Sequence, residues 1–384
     1  MSPKYTYISL FSCGGIGCFG FKKQGFECLA TAELLKKRLN IQEYNNKCKY
    51  KSGYINGDLS LPETKETIYN EIKKWDVNDV SLIVATPPCQ GMSNANSKKN
   101  ENDIFRNSLI IDAIQIIKKV LPRYIVFENV PSFLKTVCNY NGSLSKIRDV
   151  IESELESIYN IEYKIVNFAN YGVPSSRNRT LVIGVRKDVD ISPLLLFPDI
   201  VKRKKTLKDT IFNLKRLKNM GEIDVDDIYH FYRSFDKRML PWIENLKEGE
   251  SAFDNIEPHR IPHRILNNQV VFNKNKMGGK YKRQIWDGVS SCIHTRNDQL
   301  ASQNTIHPTD NRVFSIRELM ILMSIPKEFK WTNDNYEYLN SLSLHDKRKF
   351  LKSNENNIRQ MIGEAVPTLV FEMIAKKIKK YENE

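Results

Sequence analysis

The chain has 384 residues, 41% hydrophobic and 27% charged, an ordinary balance for a folded water-soluble protein but more chain than one hydrophobic core organises. A formal net charge of +14 points to a polyanionic partner such as nucleic acid. Seven scattered cysteines with no CxxC pair exclude a disulfide framework and a cysteine zinc site; the opening MSPKYTYISLFS lacks a secretory signal and no apolar run could cross a bilayer, so a cytoplasmic protein is expected.

In chain order, β-rich apolar runs at 5–11, 27–32, 54–56, 81–86, 124–128, 162–168 and 180–185 predict strands. Helical patterns separate them. One covers 107–120 and stops before Pro122; another is marked by Leu144, Ile147, Val150, Ile151, Leu155 and Ile158. Strands alternating with helices predict an α/β fold with a doubly wound, Rossmann-like sheet, whose ligands sit in loops at the carboxyl ends of the strands. Beyond residue 190 the chain becomes rich in Lys, Arg, Asn and aromatics, with VKRKK (201–205), EPHRIPHRIL (257–266) and KMGGKYKRQIW (276–286). This predicts a second, smaller lobe, mostly β and irregular. A final helix over 366–381 places Leu369, Val370, Met373, Ile374 and Ile378 on one face.

The loops after the strands carry the candidate chemistry. LFSCGGIGCFGF (10–21) follows the first strand, and Gly14 and Gly15 would let a ligand approach the backbone. Glu33 ends the second strand, where a carboxylate accepts from ribose hydroxyls, and Asp58 follows the third. Either acid equally serves as a turn or helix cap. After the fourth strand, VATPPCQGMS (84–93) presents Cys89 behind Pro87 and Pro88. Most cysteines are buried and inert, but two prolines would stiffen the mounting of a thiol meant to react. YIVFENV (124–130) ends the fifth strand in Glu128, a carboxyl that burial would keep protonated. In YGVPSSRNRTLVIG (171–184), Arg177 and Arg179 occupy alternating positions, so both guanidiniums would face one site. His259 and His263 have the spacing of half a metal site, but nothing completes it and no metal is expected.

The ordered set LFSCGGIG, AEL, GDL, PPCQ, ENV, YGVPSSRNR, RVFSIREL (312–319) and GEAVP (363–367) resembles the DNA (cytosine-5)-methyltransferases of restriction-modification systems, across all but roughly 190–290. The resemblance implies a catalytic and cofactor-binding domain over 1–190, completed by 362–384, and a target-recognition domain over 191–361. It implies S-adenosylmethionine as methyl donor, with S-adenosylhomocysteine as product, and double-stranded DNA as substrate. Cys89 would be the nucleophile, Glu128 its partner at the base, and Arg177 and Arg179 would orient base and loop. Phe11, Gly14, Gly15, Glu33, Asp58, Pro88, Leu109, Glu364 and Ala365 would hold the cofactor. Residues 90–107 resemble the family's mobile loop, with Gln90 and Ser93 meeting DNA. In the second lobe, Lys282, Arg283 and VKRKK would contact phosphates. A cognate restriction endonuclease acting on the same site is implied, and a monomer is expected. Cys13 and Ile16 stand where glycines are common, Ser175 where Gln is usual and Glu364 where Asn is usual, which bears on the cofactor's methionine end and on one loop contact. A transfer-RNA cytosine methyltransferase would share the active site but carry a Cys-Phe-Thr element, which is absent. A silent DNA-binding relative would have no need of Cys89 and Glu128.

Overall fold

The computed structural model describes residues 3–77, 79–88, 101–275 and 278–383, with backbone alone at 101 and 102. The chain forms two compact units: Met1–Tyr171 with Asn178–Val201 and Ala365–Glu384, and Gly172–Arg177 with Lys202–Glu364.

The first unit is built on strands β1 (Thr6–Leu10), β2 (Glu27–Glu33), β3 (Tyr54–Asn56), β4 (Leu82–Ala85) and β5 (Tyr124–Asn129), interleaved with helices α1 (Phe19–Lys23), α2 (Lys36–Tyr44), α3 (Pro62–Lys73) and α4 (Glu101–Val120). A hairpin, β6 (Val137–Tyr140) and β7 (Ser143–Lys146), precedes α5 (Ile147–Leu155), then β8 (Tyr159–Asn167) and β9 (Asn178–Arg186). The sheet order is β3-β2-β1-β4-β5-β9-β8. Strands β1 to β5 pair in parallel, whereas β9 runs antiparallel to both β5 and β8. Every residue of β1, β4 and β5 is buried, as expected of central parallel strands covered by helices on both faces. Each fully buried Ile, Leu or Phe of this core contributes about 1.5–3 kcal/mol. The chain runs outward one way from β1 through β2 to β3 and the other way from β4 to β5. The carboxyl ends of β1 and β4 therefore flank the switch point, where open α/β sheets bind ligands.

Some boundaries differ from the sequence expectation. Helix α4 begins at Glu101, so the polar run predicted as loop out to 107 ends in helix. Its apolar periodicity is masked there because polar side chains have dedicated partners: the Asn107 amide donates to the Val137 carbonyl (3.0 Å). Leu144 is not on a helix but in the β6–β7 hairpin, 64% exposed; α5 buries Ile147, Val150, Ile151 and Leu155. The last helix, Thr368–Glu382, buries Val370, Phe371, Ile374, Ala375 and Ile378, while Leu369 and Met373 are half-buried. Phe371 stacks on Phe21 of α1 (5.0 Å between centroids). Gly20 permits that approach, since a Cβ there would lie 2.4 Å from the Thr368 carbonyl oxygen.

In the second unit, β structure among the described residues amounts to isolated bridges and one hairpin, β10 (His263–Leu266) with β11 (Gln269–Phe272). Its core gathers Trp242, Ile243, Leu246, Ala252, Tyr281, Leu300, Ile306 and Val313. Helices Ile316–Leu322, Tyr336–Ser341 and Leu344–Glu364 follow. The sequence boundary near 190 differs from the observed one: the Val201 amide bonds the Asn170 carbonyl (2.8 Å), keeping 191–201 with the first unit, whereas 172–177 joins the second through the Ser175–Ser290 bridge. Among the described residues no helix is long and apolar enough to cross a membrane.

Candidate active site

The loop after β1 is strained and held. Phe11 (φ 58°), Cys13 (φ 48°) and Gly15 (φ 75°) all lie in the left-handed region, which costs a residue with a Cβ about 1–2 kcal/mol. Cys13 thus stands where glycine would relax, and its surroundings fix it instead. Its N–H donates to Glu33 Oε2 (3.0 Å) and its carbonyl accepts from Gln42 Nε2 (2.6 Å). Beneath the loop the buried Lys47 ammonium donates to Ser12 Oγ, Thr31 Oγ1 and Gln42 Oε1, each at 2.9 Å. At Gly15 a Cβ would meet Gln42 Cγ at 3.0 Å. From the far end of the chain, Thr368 Oγ1 donates to the Ile16 carbonyl (3.0 Å).

Glu33, buried at the end of β2, also accepts from the Leu35 N–H (3.0 Å). Burial raises its carboxyl above the ordinary range, opposed by the Leu35 amide, Arg38 and the Cys13 amide. Asp58 accepts from the N–H (2.9 Å) and hydroxyl (2.8 Å) of Ser60, closing a turn before α3. Leu109 is half-buried on α4.

Strand β4 delivers Thr86, Pro87 and Pro88, while Cys89, Gln90 and Ser93 lie outside the described residues. The Thr86 hydroxyl donates to the Phe11 carbonyl (2.9 Å), tying this loop to the one after β1. From β5 the buried Asn129 amide donates to the Pro87 carbonyl (2.9 Å), and its Oδ1 accepts from the Val130 N–H (2.8 Å). Thr180 of β9 donates to the Val130 carbonyl (3.2 Å). The neighbouring Glu128 is buried and forms an ion pair with Arg179 Nε at 3.1 Å. A guanidinium at that distance favours the carboxylate, an influence opposite to burial that the strand's own sequence does not reveal. Thr86, Asn129 and Lys47 were not among the predicted site residues. Asn129 has a signal, lying next to Glu128 at a strand end, whereas Lys47 has none.

Arg177 and Arg179 fall in different units. Arg177 is buried in the second unit, where Nη1 donates to the Ile293 carbonyl (2.8 Å) and Nη2 to that of Gly363 (3.1 Å). The two-residue alternation is broken because β9 begins only at Asn178. Ser175 is fully buried, with Oγ against Met323 Sδ (3.9 Å). The Glu364 carboxylate accepts from Gln360 (3.0 Å) along its own helix, and Ala365 is buried. Lys282 is half-buried on a bridge to Ser251. Arg283 is not available to DNA: it is 2% exposed, and its guanidinium donates to the carbonyls of His307 (2.9 Å), Asp310 (2.9 Å) and Ile243 (2.9 Å) and to Asn311 Oδ1 (2.6 Å). It organises three chain segments instead. In VKRKK, residues 202–205 are exposed, with Arg203 paired to Asp209 at 2.9 Å. Among the described residues no three His, Cys, Asp or Glu side chains cluster as a metal site.

The RVFSIREL block is a buried scaffold. Arg312 forms a two-pronged pair with Glu318 (2.7 and 2.8 Å), and Ser315 with Glu318 builds a capping box on helix Ile316–Leu322.

The chain is 30% identical over 392 residues to the Type II methyltransferase M1.HgaI of Avibacterium volantium, covering 98% of this chain and 99% of that one. It is 26% identical to the Type II methyltransferase M.DdeI of Desulfomicrobium norvegicum, covering 97% and 88%. Among solved structures, S. pombe Dnmt2 methyltransferase superposes with a TM-score of 0.61 at 14% identity, over 98% of this chain and 99% of that one, a likeness of fold. The family description "C-5 cytosine-specific DNA methylase" matches residues 5–380, and the chain belongs to that family.

Proposed function

We propose that this protein is the modification methyltransferase of a Type II restriction–modification system, acting through S-adenosylmethionine on carbon 5 of a cytosine turned out of a specific duplex DNA sequence. The observation that carries the reading is the end of β5. It presents Glu128 beside Arg179, and at the next residue Asn129 holds the peptide two positions before Cys89.

Carbon 5 of cytosine is a poor nucleophile within its ring. Attack of the Cys89 thiolate on carbon 6 breaks the aromaticity and leaves an enamine whose carbon 5 is nucleophilic. Glu128 in its protonated form gives its proton to ring nitrogen 3 as thiolate attack builds negative charge there, and the carboxylate left behind pairs with Arg179. Pro87 and Pro88 restrict the backbone before Cys89, and Asn129 anchors it at the Pro87 carbonyl. When bound, S-adenosylmethionine supplies the electrophilic methyl group that carbon 5 takes. Loss of the carbon-5 proton then expels the cysteine. The first unit's residues suit that cofactor: the left-handed loop of Phe11, Cys13 and Gly15 after β1, the Glu33 carboxylate at the end of β2 and Asp58 after β3. Phe11, Gly14, Gly15, Glu33, Asp58, Pro88 and Leu109 would hold it. Reaching the base requires extruding it, which costs a few kcal/mol, and the basic chain offsets this through phosphate contacts.

The decisive experiment is trapping on a 5-fluorocytosine duplex, where carbon 5 bears fluorine instead of a removable proton. A denaturant-resistant adduct mapping to Cys89 is expected. Cys89→Ser should form none and methylate nothing while still binding DNA, and Glu128→Gln should slow methylation about 100-fold or more. An adduct on another residue, or full activity in Cys89→Ser, would refute the assignment.

A further inference from the structure

Hairpin β10–β11 is out of keeping with the rest of the second unit. Its base is anchored: His263 packs on Trp242 (5.5 Å) and Phe272 (6.2 Å), and the Asn273 N–H bonds the Pro262 carbonyl (2.8 Å). Beyond the base both faces are open, with Ile265 60% and Val270 55% exposed, and Arg264, Leu266 and Gln269 also exposed. The cross-strand pairs Ile265–Val270 and Leu266–Gln269 place apolar side chains on both faces, and Arg264 shares a face with Leu266 and Gln269. The connection is Asn267-Asn268, both left-handed (φ 48° and 58°), the tight two-residue turn that suits a twisted ribbon. Among the described residues no hydrogen bond holds the side chains of Arg264, Asn267, Asn268 or Gln269. A ribbon this exposed and apolar is an aggregation hazard unless something covers it.

We infer that this hairpin is the sequence-reading element, inserted turn-first into the major groove of the DNA substrate; the inference rests on the function proposed above. Three observations select DNA as the occupant. Residues 263–275 and 278–282 contain four Lys and Arg and no Asp or Glu, so the flanks of the ribbon suit phosphates and repel a second copy of a chain carrying +14. A two-stranded ribbon fits the major groove, and strands of four residues reach about 13 Å, beyond the groove's depth of about 8.5 Å. The unengaged side chains are of the types that read base edges: Arg264 for guanine O6 and N7, Gln269 and the turn asparagines for adenine N6 and N7, with Ile265, Leu266 and Val270 suited to thymine methyls. Turn-first insertion explains why neither face is polar throughout, since both face groove walls.

The test is bisulfite sequencing of DNA methylated by the full-length wild type, Arg264→Ala and Gln269→Ala, with affinity for the preferred and for an unrelated duplex measured alongside. Each variant is expected to relax the preference at one base pair, reducing discrimination about 10- to 100-fold, while affinity for unrelated DNA changes much less. Because these side chains stand in solvent, loss of folding would not produce that pattern, and an unchanged melting temperature checks it. Unaltered sequence preference in both variants would overturn the inference. So would an Ile265→Asp/Val270→Asp variant that abolishes a wild-type dimer yet keeps the same target sequence. A wild type that methylates no DNA would instead overturn the proposed function.

Discussion

At the scale of single residues, the catalytic assignment depends on side chains whose chemistry is visible in their type and on others whose work shows only in three dimensions. Cys89 and Glu128 are proposed on the first kind of signal, a thiol after a proline pair and a carboxyl near the end of an apolar strand. Asn129 belongs to the second, because its partner, Pro87, lies 42 residues away in sequence. Asn129→Ala should therefore lower kcat about 10-fold or more while leaving the KM for DNA nearly unchanged, since the peptide before the proposed nucleophile loses its anchor. The leftover buried carbonyl should destabilise the protein by about 1–3 kcal/mol, readable in denaturant melts. Equal loss in KM and kcat would assign Asn129 to binding instead. Arg283 shows the converse: in a basic run it reads as a phosphate contact, but its acceptors, on segments 24 to 40 residues off, claim it for the interior.

At the scale of elements, strands were read well where both faces are buried, as in β1, β4 and β5, since an apolar run needs no partner to be recognised. Helices whose polar faces have specific partners were read late or missed. The start of α4 is one case, and Leu344–Glu364 is another: it buries Lys347, Glu355 and Arg359 together with its apolar residues. The helix Ile316–Leu322 carries a pH signature. His307 is buried beside its Arg312–Glu318 pair and accepts at Nδ1 from the N–H groups of Thr309 (3.2 Å) and Asp310 (3.0 Å), which fixes a neutral ring. Burial lowers its pKa to about 4, Glu318 and Asp310 opposing and Arg312 and Arg283 assisting. With the folded value below the unfolded one of about 6.5, the unfolded chain binds the proton first. Stability is therefore complete above pH 6.5 and falls by roughly 3 kcal/mol as pH drops towards 4. His307→Gln should flatten the dependence of Tm on pH across that window. An identical slope in the variant would place the titration elsewhere. Glu318 is first pushed up by burial, but Arg312 more than reverses this and holds it well below the carboxylate range, so its contribution is lost only at lower pH.

At the scale of the whole molecule, the change in composition near residue 190 signals two units because it is a long-range feature of sequence, whereas the return of the C-terminus was implied only by the family resemblance of the GEAVP block. The boundary itself is not legible, since Ser175 joins the second unit through its bridge to Ser290 and its contact with Met323, while the Val201 amide bonds Asn170 in the first. Deleting residues 365–384 should leave the first unit unable to bury Phe21 and the core around it. The expected result is insoluble protein without a cooperative melt, checked by calorimetry; a soluble, cooperatively melting product would show that the last helix is dispensable.

The close contact of Gly20 and Phe21 with the last helix has a consequence for synthesis. About 350 residues separate Phe21 from Phe371, so at translation rates of about 5–20 residues per second the nascent amino-terminal segment waits roughly 20–70 s for its packing partner. During that interval the apolar face around Gly20 and Phe21 lacks the helix that covers it in the finished fold.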